Sequence, residues 1–203
     1  MAKLYFKYGT MKSGKSIDLI KAYHNYELSG RTALVAKPII DTRTEGSVAS
    51  RMGSEVPCML LNGKENQLID FIKSEKFLGN KIDAVLIDEA QFLTLAQVME
   101  LTLIVDDLKI PVICYGLKTN FRSELFEGSR VLLELSDKIE EIKTVCQFCD
   151  SKAILNLRTI KKKGKIFGVG LNDDEIAIGD EEYIQVCRNH YFKYVNGDKE
   201  ISK

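Results

Sequence analysis

Gly9-Thr10-Met11-Lys12-Ser13-Gly14-Lys15-Ser16 fits the pattern G-x-x-x-x-G-K-[ST], and its neighbours decide what the pattern means. Upstream, Leu4-Tyr5-Phe6-Lys7-Tyr8 reads as a short buried strand stopped by Gly9. Downstream, from Ser16 to Ser29, Ile17, Ile20 and Tyr23 recur at helical spacing with Leu19 beside them, and Gly30 supplies a left-handed stop. Strand, glycine-bounded loop and helix in that order form a phosphate-binding loop. Its glycines let backbone N–H groups turn inward, and the helix N-terminus adds partial positive charge. Lys15 can then reach β- and γ-phosphates, and the Ser16 hydroxyl can ligate magnesium.

Working outward, Thr32-Ala33-Leu34-Val35-Ala36 is the next strand, followed by a polar stretch, Asp41 to Pro57, that reads as a mobile loop. Leu68, Ile69, Phe71 and Ile72 predict a second helix, and Ile82 to Ile87 a near-continuous apolar strand buried on both faces of a parallel sheet. Thr94 is a good N-cap for a helix through Leu95, Val98, Met99 and Leu101, and Ile110 to Tyr115 makes a further strand. Strands alternating with helices predict an α/β fold, a P-loop NTPase parallel sheet flanked by helices, with ligands at the carboxyl ends of the strands. Asp88 and Glu89 end the Ile82–Ile87 strand. If that strand lies next to the first, Asp88 meets the magnesium held by Ser16. Glu89 then faces whatever receives or attacks the γ-phosphate, deprotonating an alcohol in a kinase or orienting water in an ATPase.

The α/β part is expected over residues 1–143, a β-rich unit over 144–192 and a polar C-terminal tail over 193–203, frayed from Asn196 to Lys203. Cys146-x-x-Cys149 and Cys187-x-x-His190 supply three thiolates and an imidazole in two knuckles, a set that suits tetrahedral structural zinc. Ala153 to Ile160, a basic turn at Lys161–Lys165, and Ile166 to Val169 read as a hairpin. The stretch between the knuckles exceeds the ~15–20 residues of a compact ribbon, so part of it should project and could act as a lid. Cys58 and Cys114 fall outside the pattern and read as buried hydrophobes.

Lys plus Arg number 29 and Asp plus Glu 29 in 203 residues, which gives no net positive field for holding a nucleic acid polymer. No apolar run approaches the ~18 residues of a membrane span, and no signal peptide is visible. Five Cys in such a chain predict a reducing compartment, the cytoplasm.

Taken together the motifs resemble the type II, cytosolic-type thymidine kinase family. Met11 inside the phosphate loop, Lys37-Pro38 with Asp41-x-Arg43, Asp88-Glu89-Ala90-Gln91-Phe92, Tyr115-Gly116-Leu117 with Phe121-Arg122, and CxxC…CxxH with Tyr183 before Cys187 carry the resemblance, over roughly residues 4 to 192. It implies transfer of the ATP γ-phosphate to the 5′-hydroxyl of thymidine, and use of deoxyuridine is among the expectations. It also implies feedback inhibition by dTTP, a homotetramer, and a zinc-anchored lasso domain. The implied roles are Glu89 as catalytic base, Arg43 and Arg158 as stabilisers of the transferring phosphoryl, and Asp88 with Ser16 and Asp41 around Mg2+. Gln91 is grouped with the ATP-binding residues. Phe121 would stack on thymine, with Met11, Leu117 and Tyr183 completing the pocket. Backbone groups of Glu175, Ile176, Ala177, Ile178 and Gly179 would meet the base edge. The segment from Ile178 to Tyr183 is one residue shorter than in many members, and the last metal ligand is His190 where others have Cys.

Three rivals are weaker. A helicase-type motor, suggested by Asp88-Glu89-Ala90-Gln91, needs two α/β lobes and a basic channel. A GTPase switch needs an Asn-Lys-x-Asp motif that the chain lacks. A binding module with a vestigial phosphate loop would not need Lys15, Ser16, Asp88 and Glu89 together.

Overall fold

The computed structural model describes residues 1–40, 46–50, 52–162, 165–169, 182–195 and 200–201. The chain forms two units: Met1–Tyr8, Gly14–Lys118 and Phe126–Glu141 build the first, and Gly9–Ser13, Thr119–Leu125 and Ile142–Lys203 the second.

In the first unit the elements run β1 (Leu4–Tyr8), α1 (Lys15–Leu28), β2 (Ala33–Pro38), β3 (Ser47–Ala49), β4 (Glu55–Pro57), β5 (Met59–Leu61), α2 (Gln67–Phe77) and β6 (Ala84–Ile87). A 3₁₀ turn (Ala90–Phe92), α3 (Leu95–Asp106), β7 (Val112–Gly116), α4 (Glu127–Leu135) and β8 (Lys138–Glu141) follow. The sheet has the order β5-β2-β6-β7-β1-β8, and every pairing in it is parallel. Ala84, Val85, Leu86 and Ile87 are fully buried, as the continuous apolar run required of a strand covered on both faces.

Two expectations need correction. The strand ending before Asp88 is not beside the first: β7 lies between them, pairing Val112 with both Leu4 and Val85. Apolar runs announce strands but carry no information on which neighbours a crossover selects. The polar stretch from Asp41 to Pro57 is not simply a loop, because β3 and β4 pair antiparallel and bury Val48 and Val56. One buried apolar side chain per three-residue strand is too little alternation to register as a pattern.

Helix starts in this unit are settled partly at a distance. Thr94 caps α3 as expected: its Oγ1 accepts the Gln97 N–H at 3.3 Å, and Gln97 Oε1 accepts the Thr94 N–H at 3.0 Å. For α2 no residue of its own supplies a side-chain cap. Glu100 of α3 does so, its buried Oε1 accepting the Leu68 and Ile69 N–H groups at 2.7 and 2.9 Å.

In the second unit β9 (Thr144–Val145) pairs with β10 (Lys152–Ala153), and β11 (Leu155–Lys162), β12 (Lys165–Gly168) and β13 (Glu182–Val186) form an antiparallel sheet in the order β12-β11-β13. The β11–β12 pairing, Thr159 with Gly168 through Lys162 with Lys165, is the expected hairpin. Helix α5 (Arg188–Tyr194) closes a small core of Leu157, Val186, Tyr191 and Tyr194. The tail is not wholly frayed: Glu200 bridges to Phe167, and the Ile201 N–H donates to the Ile166 carbonyl at 2.8 Å.

Candidate active site and metal centre

Gly14 (φ 91°) and Lys12 (φ 63°) both take left-handed backbone in the phosphate loop, and α1 starts at Lys15. In the first unit, the Asp88 N–H closes the β2–β6 ladder on the Ala36 carbonyl at 2.9 Å. This fixes the carboxylate at the carboxyl end of β6, where Asp88 Oδ2 accepts the Ser16 hydroxyl at 3.2 Å. Burial raises the Asp88 pKa to about 6, and the charge of Glu89 pushes it the same way, while Lys15 and the Ser16 hydrogen bond oppose the shift. Its second oxygen, Oδ1, is buried with no hydrogen-bond partner. A hydroxyl and an under-satisfied buried carboxylate are hard oxygen donors of the kind magnesium takes, so these two residues fit a magnesium nucleotide.

Glu89 follows with φ 50° and ψ 38°, a left-handed conformation uncommon outside glycine, and it is 9% exposed. That turn ends the strand and starts the 3₁₀ segment that carries Gln91. The Gln91 Nε2 donates to Glu89 Oε2, and Gln91 Oε1 accepts the Leu117 N–H at 3.0 Å. Leu117 thus joins Glu89 through one buried amide.

The second unit gathers a different set. On β11, Asn156 and Arg158 are two residues apart, share a face of the strand, and are both buried. Asn156 Oδ1 accepts the Met11 N–H at 2.8 Å, and the Arg158 guanidinium lies 5.0 Å from the centre of the Phe121 ring. Arg122 lies 5.3 Å from the same ring. Tyr183 pairs with Arg158 across the β11–β13 ladder. The Tyr191 hydroxyl donates to the Phe121 carbonyl at 2.5 Å. Asp41, Arg43, Glu175, Ile176, Ala177, Ile178 and Gly179 lie outside the described residues.

Asn156, Tyr191 and Ser129, whose hydroxyl donates to the Leu117 carbonyl, belong to no motif in the sequence. The alternation Asn156-x-Arg158 on a strand was the only available signal, and for Tyr191 and Ser129 there was none.

Cys146, Cys149, Cys187 and His190 converge in the second unit, with ligand atoms all within 4.8 Å of one another. Zinc–sulphur bonds of about 2.3 Å and zinc–nitrogen bonds of about 2.0–2.1 Å give tetrahedron edges of about 3.8 Å (S–S) and about 3.6 Å (S–N). The Cys149–Cys187 sulphurs are 3.9 Å apart, and His190 Nδ1 stands 3.5, 3.6 and 3.3 Å from the sulphurs of Cys146, Cys149 and Cys187. These four separations match the edges of a zinc tetrahedron, and the other two lie within 4.8 Å. Of the remaining thiols, Cys114 is buried as expected, its pKa pushed up by desolvation, while Cys58 is only half-buried.

A parallel α/β sheet with a G-x-x-x-x-G-K-S loop after its first strand and an acid pair beyond β6, together with a β unit whose Cys₃His cluster could hold a metal ion, define a P-loop-type α/β protein. The thymidine kinase family model matches residues 2–191. A thymidine kinase of Lactococcus lactis is 48% identical over 195 residues, 95% of this chain and 98% of the relative. That of Streptococcus gordonii is 47% identical over 195 residues (95% and 97%), and that of Streptococcus agalactiae 46% over 194 (95% and 98%). The chain belongs to the thymidine kinase family. Among the described residues no helix is long and apolar enough to cross a membrane.

Proposed function

We propose that this chain transfers the γ-phosphoryl group of ATP to the 5′-hydroxyl of thymidine, giving dTMP, and that it accepts deoxyuridine as well. The observation that carries the reading is the Ser16–Asp88 contact with Glu89 next in sequence, which puts a magnesium-type oxygen pair beside a buried carboxylate in the first unit. Backbone N–H groups of Gly9 to Ser16 and the Lys15 ammonium hold the phosphates, with Asp41 near the metal. Magnesium, when bound through Ser16 and Asp88, would neutralise charge on the β- and γ-phosphates. Glu89 accepts the proton of the sugar hydroxyl as its oxygen attacks the γ-phosphorus and the bond to the β-phosphate oxygen breaks, releasing ADP. Arg43 and Arg158 offset charge on the transferring group. Phe121 stacks on the thymine ring with Met11, Leu117 and Tyr183 around it, and the backbone of Glu175 to Gly179 reads the base edge.

The same reading includes inhibition by dTTP at the nucleoside site, zinc at the Cys₃His cluster, a cytoplasmic location and a homotetramer. For association, helix α3 offers support: Leu95, Met99 and Leu103 are exposed on a helix whose other side is core, and a helix apolar all round is one that becomes covered.

The test is a panel of deoxynucleosides in one coupled assay with MgATP. ADP production that depends on thymidine, and a Glu89→Gln variant that binds ATP normally but loses about 10²–10⁴-fold in turnover, are the expected results. Stimulation by single-stranded DNA instead, or unchanged turnover in the variant, would overturn the reading.

A further inference from the structure

The residues that follow Asp88 in the first unit form a closed, buried assembly around the Gln91 side chain. Gln91 is 2% exposed. Both ends of its amide are engaged inside the protein, Nε2 toward the Glu89 carboxylate and Oε1 toward the Leu117 N–H. The Leu117 peptide is held on its other side too, because the fully buried Ser129 hydroxyl donates to its carbonyl at 2.5 Å. Two glycines make room for the turn. A Cβ at Gly116 would stand 2.9 Å from Gln91 Oε1, and one at Gly128 would stand 2.5 Å from the Ala90 carbonyl and 2.7 Å from that of Leu93. Glu89 itself is in the left-handed region, a conformation that persists in a non-glycine residue only where its surroundings over-determine it.

We propose that Gln91 is a positioning residue for Glu89, locking the carboxylate of the base and the Leu117 backbone into one rigid piece, and is not a ligand of the nucleotide. This rests on the reading of Glu89 as the base given above. The physical case is one of orientation. A carboxylate on a flexible three-bond stem samples many rotamers, and a proton acceptor displaced by about 1 Å loses about 100-fold in rate. An amide donor fixed by its own acceptor bond removes that freedom, and Ser129 anchors the far end. A nucleotide ligand would instead present its amide to the phosphate loop with a free acceptor or an exposed face.

The test uses the full-length, metal-loaded enzyme. Gln91→Met keeps the side-chain volume and removes both hydrogen-bonding groups. It is expected to lower kcat about 10- to 100-fold at saturating thymidine and MgATP, with the Kd for MgATP, measured by calorimetry, within about twofold of the parent. In a Glu89→Gln background the same change should cost less than about twofold more, because a residue acting through Glu89 has nothing left to position. Ser129→Ala, a smaller perturbation that guards against misfolding of the first variant, is expected to lower kcat about three- to fivefold in the same direction. Weaker MgATP binding with kcat retained would make Gln91 a nucleotide ligand and overturn the proposal. Fully additive losses in the double variant, or unchanged kcat in both Gln91→Met and Ser129→Ala, would overturn it as well. A parent enzyme that consumes no ATP with thymidine would overturn the kinase reading and this one with it, an outcome distinct from an active parent with indifferent variants.

Discussion

Replacing Asp88 by Asn should stabilise the metal-free protein at neutral pH while removing its response to magnesium nucleotide. Burial and the neighbouring Glu89 raise the native pKa of Asp88 from 3.8 to about 6. Below pH about 4 both folded and unfolded chains hold the proton, and the carboxyl carries no penalty. As pH rises, the unfolded chain releases the proton first, so stability falls across the window from about 4 to about 6 and stays at the lower level above it. Two pKa units at 1.36 kcal/mol each give about 3 kcal/mol, an upper figure for the ionised native state relative to an uncharged one. The amide keeps an oxygen for Ser16 and leaves one polar position as unpartnered as Oδ1 already is, so hydrogen bonding cancels to first order. For a chain of this size about 3 kcal/mol corresponds to about 6–12 °C in Tm. The assay is thermal unfolding of parent and Asp88→Asn in chelator from pH 4 to pH 8, then with MgATP. The expected result is equal stability near pH 4, a variant that melts progressively higher toward pH 7, and nucleotide stabilisation in the parent alone. A variant equal to or less stable than the parent at pH 8 in chelator would refute the argument that this carboxylate is held at a cost.

Metal analysis should find about one zinc per chain, and Cys187→Ala should abolish it and lower Tm, whereas Cys114→Ala should leave metal content untouched. Tyr191→Phe leaves the Phe121 carbonyl without its partner, and the thymidine KM should rise about 5- to 10-fold while the KM for MgATP holds. An equal rise for both substrates would remove Tyr191 from any role at the nucleoside site. Glu100→Leu strips the acceptor from two N–H groups at the start of α2 and should cost about 1–3 kcal/mol in denaturant unfolding, with kcat unchanged.

Trading stability for function in this way is what a buried, under-satisfied carboxylate implies, and it accounts for the local conflicts around it. Asp88 lacks a partner for Oδ1 and Glu89 occupies a left-handed conformation, two departures from ordinary packing within two consecutive residues. Other parts of the first unit follow their local sequence directly, as in the buried Ala84–Ile87 run and the Thr94 capping box.

The phosphate loop, the alternation of apolar strands with amphipathic helices, the acid pair after Ile87 and the two metal knuckles were all legible in the residues themselves, because each depends on spacing within a short segment. Periodicity, capping and ligand spacing are local properties, and a chain states them directly. What only the tertiary structure decided are the partnerships across distance: β7 rather than β6 beside β1, Glu100 as the cap of α2, and Gln91 between Glu89 and Leu117. The Tyr191 bond to the Phe121 carbonyl belongs with these. Each joins residues whose types are individually unremarkable and whose meeting depends on which crossover and which packing face the whole chain selects. The energy of such a contact exists only after the loops between its partners have closed, and no local pattern encodes that outcome.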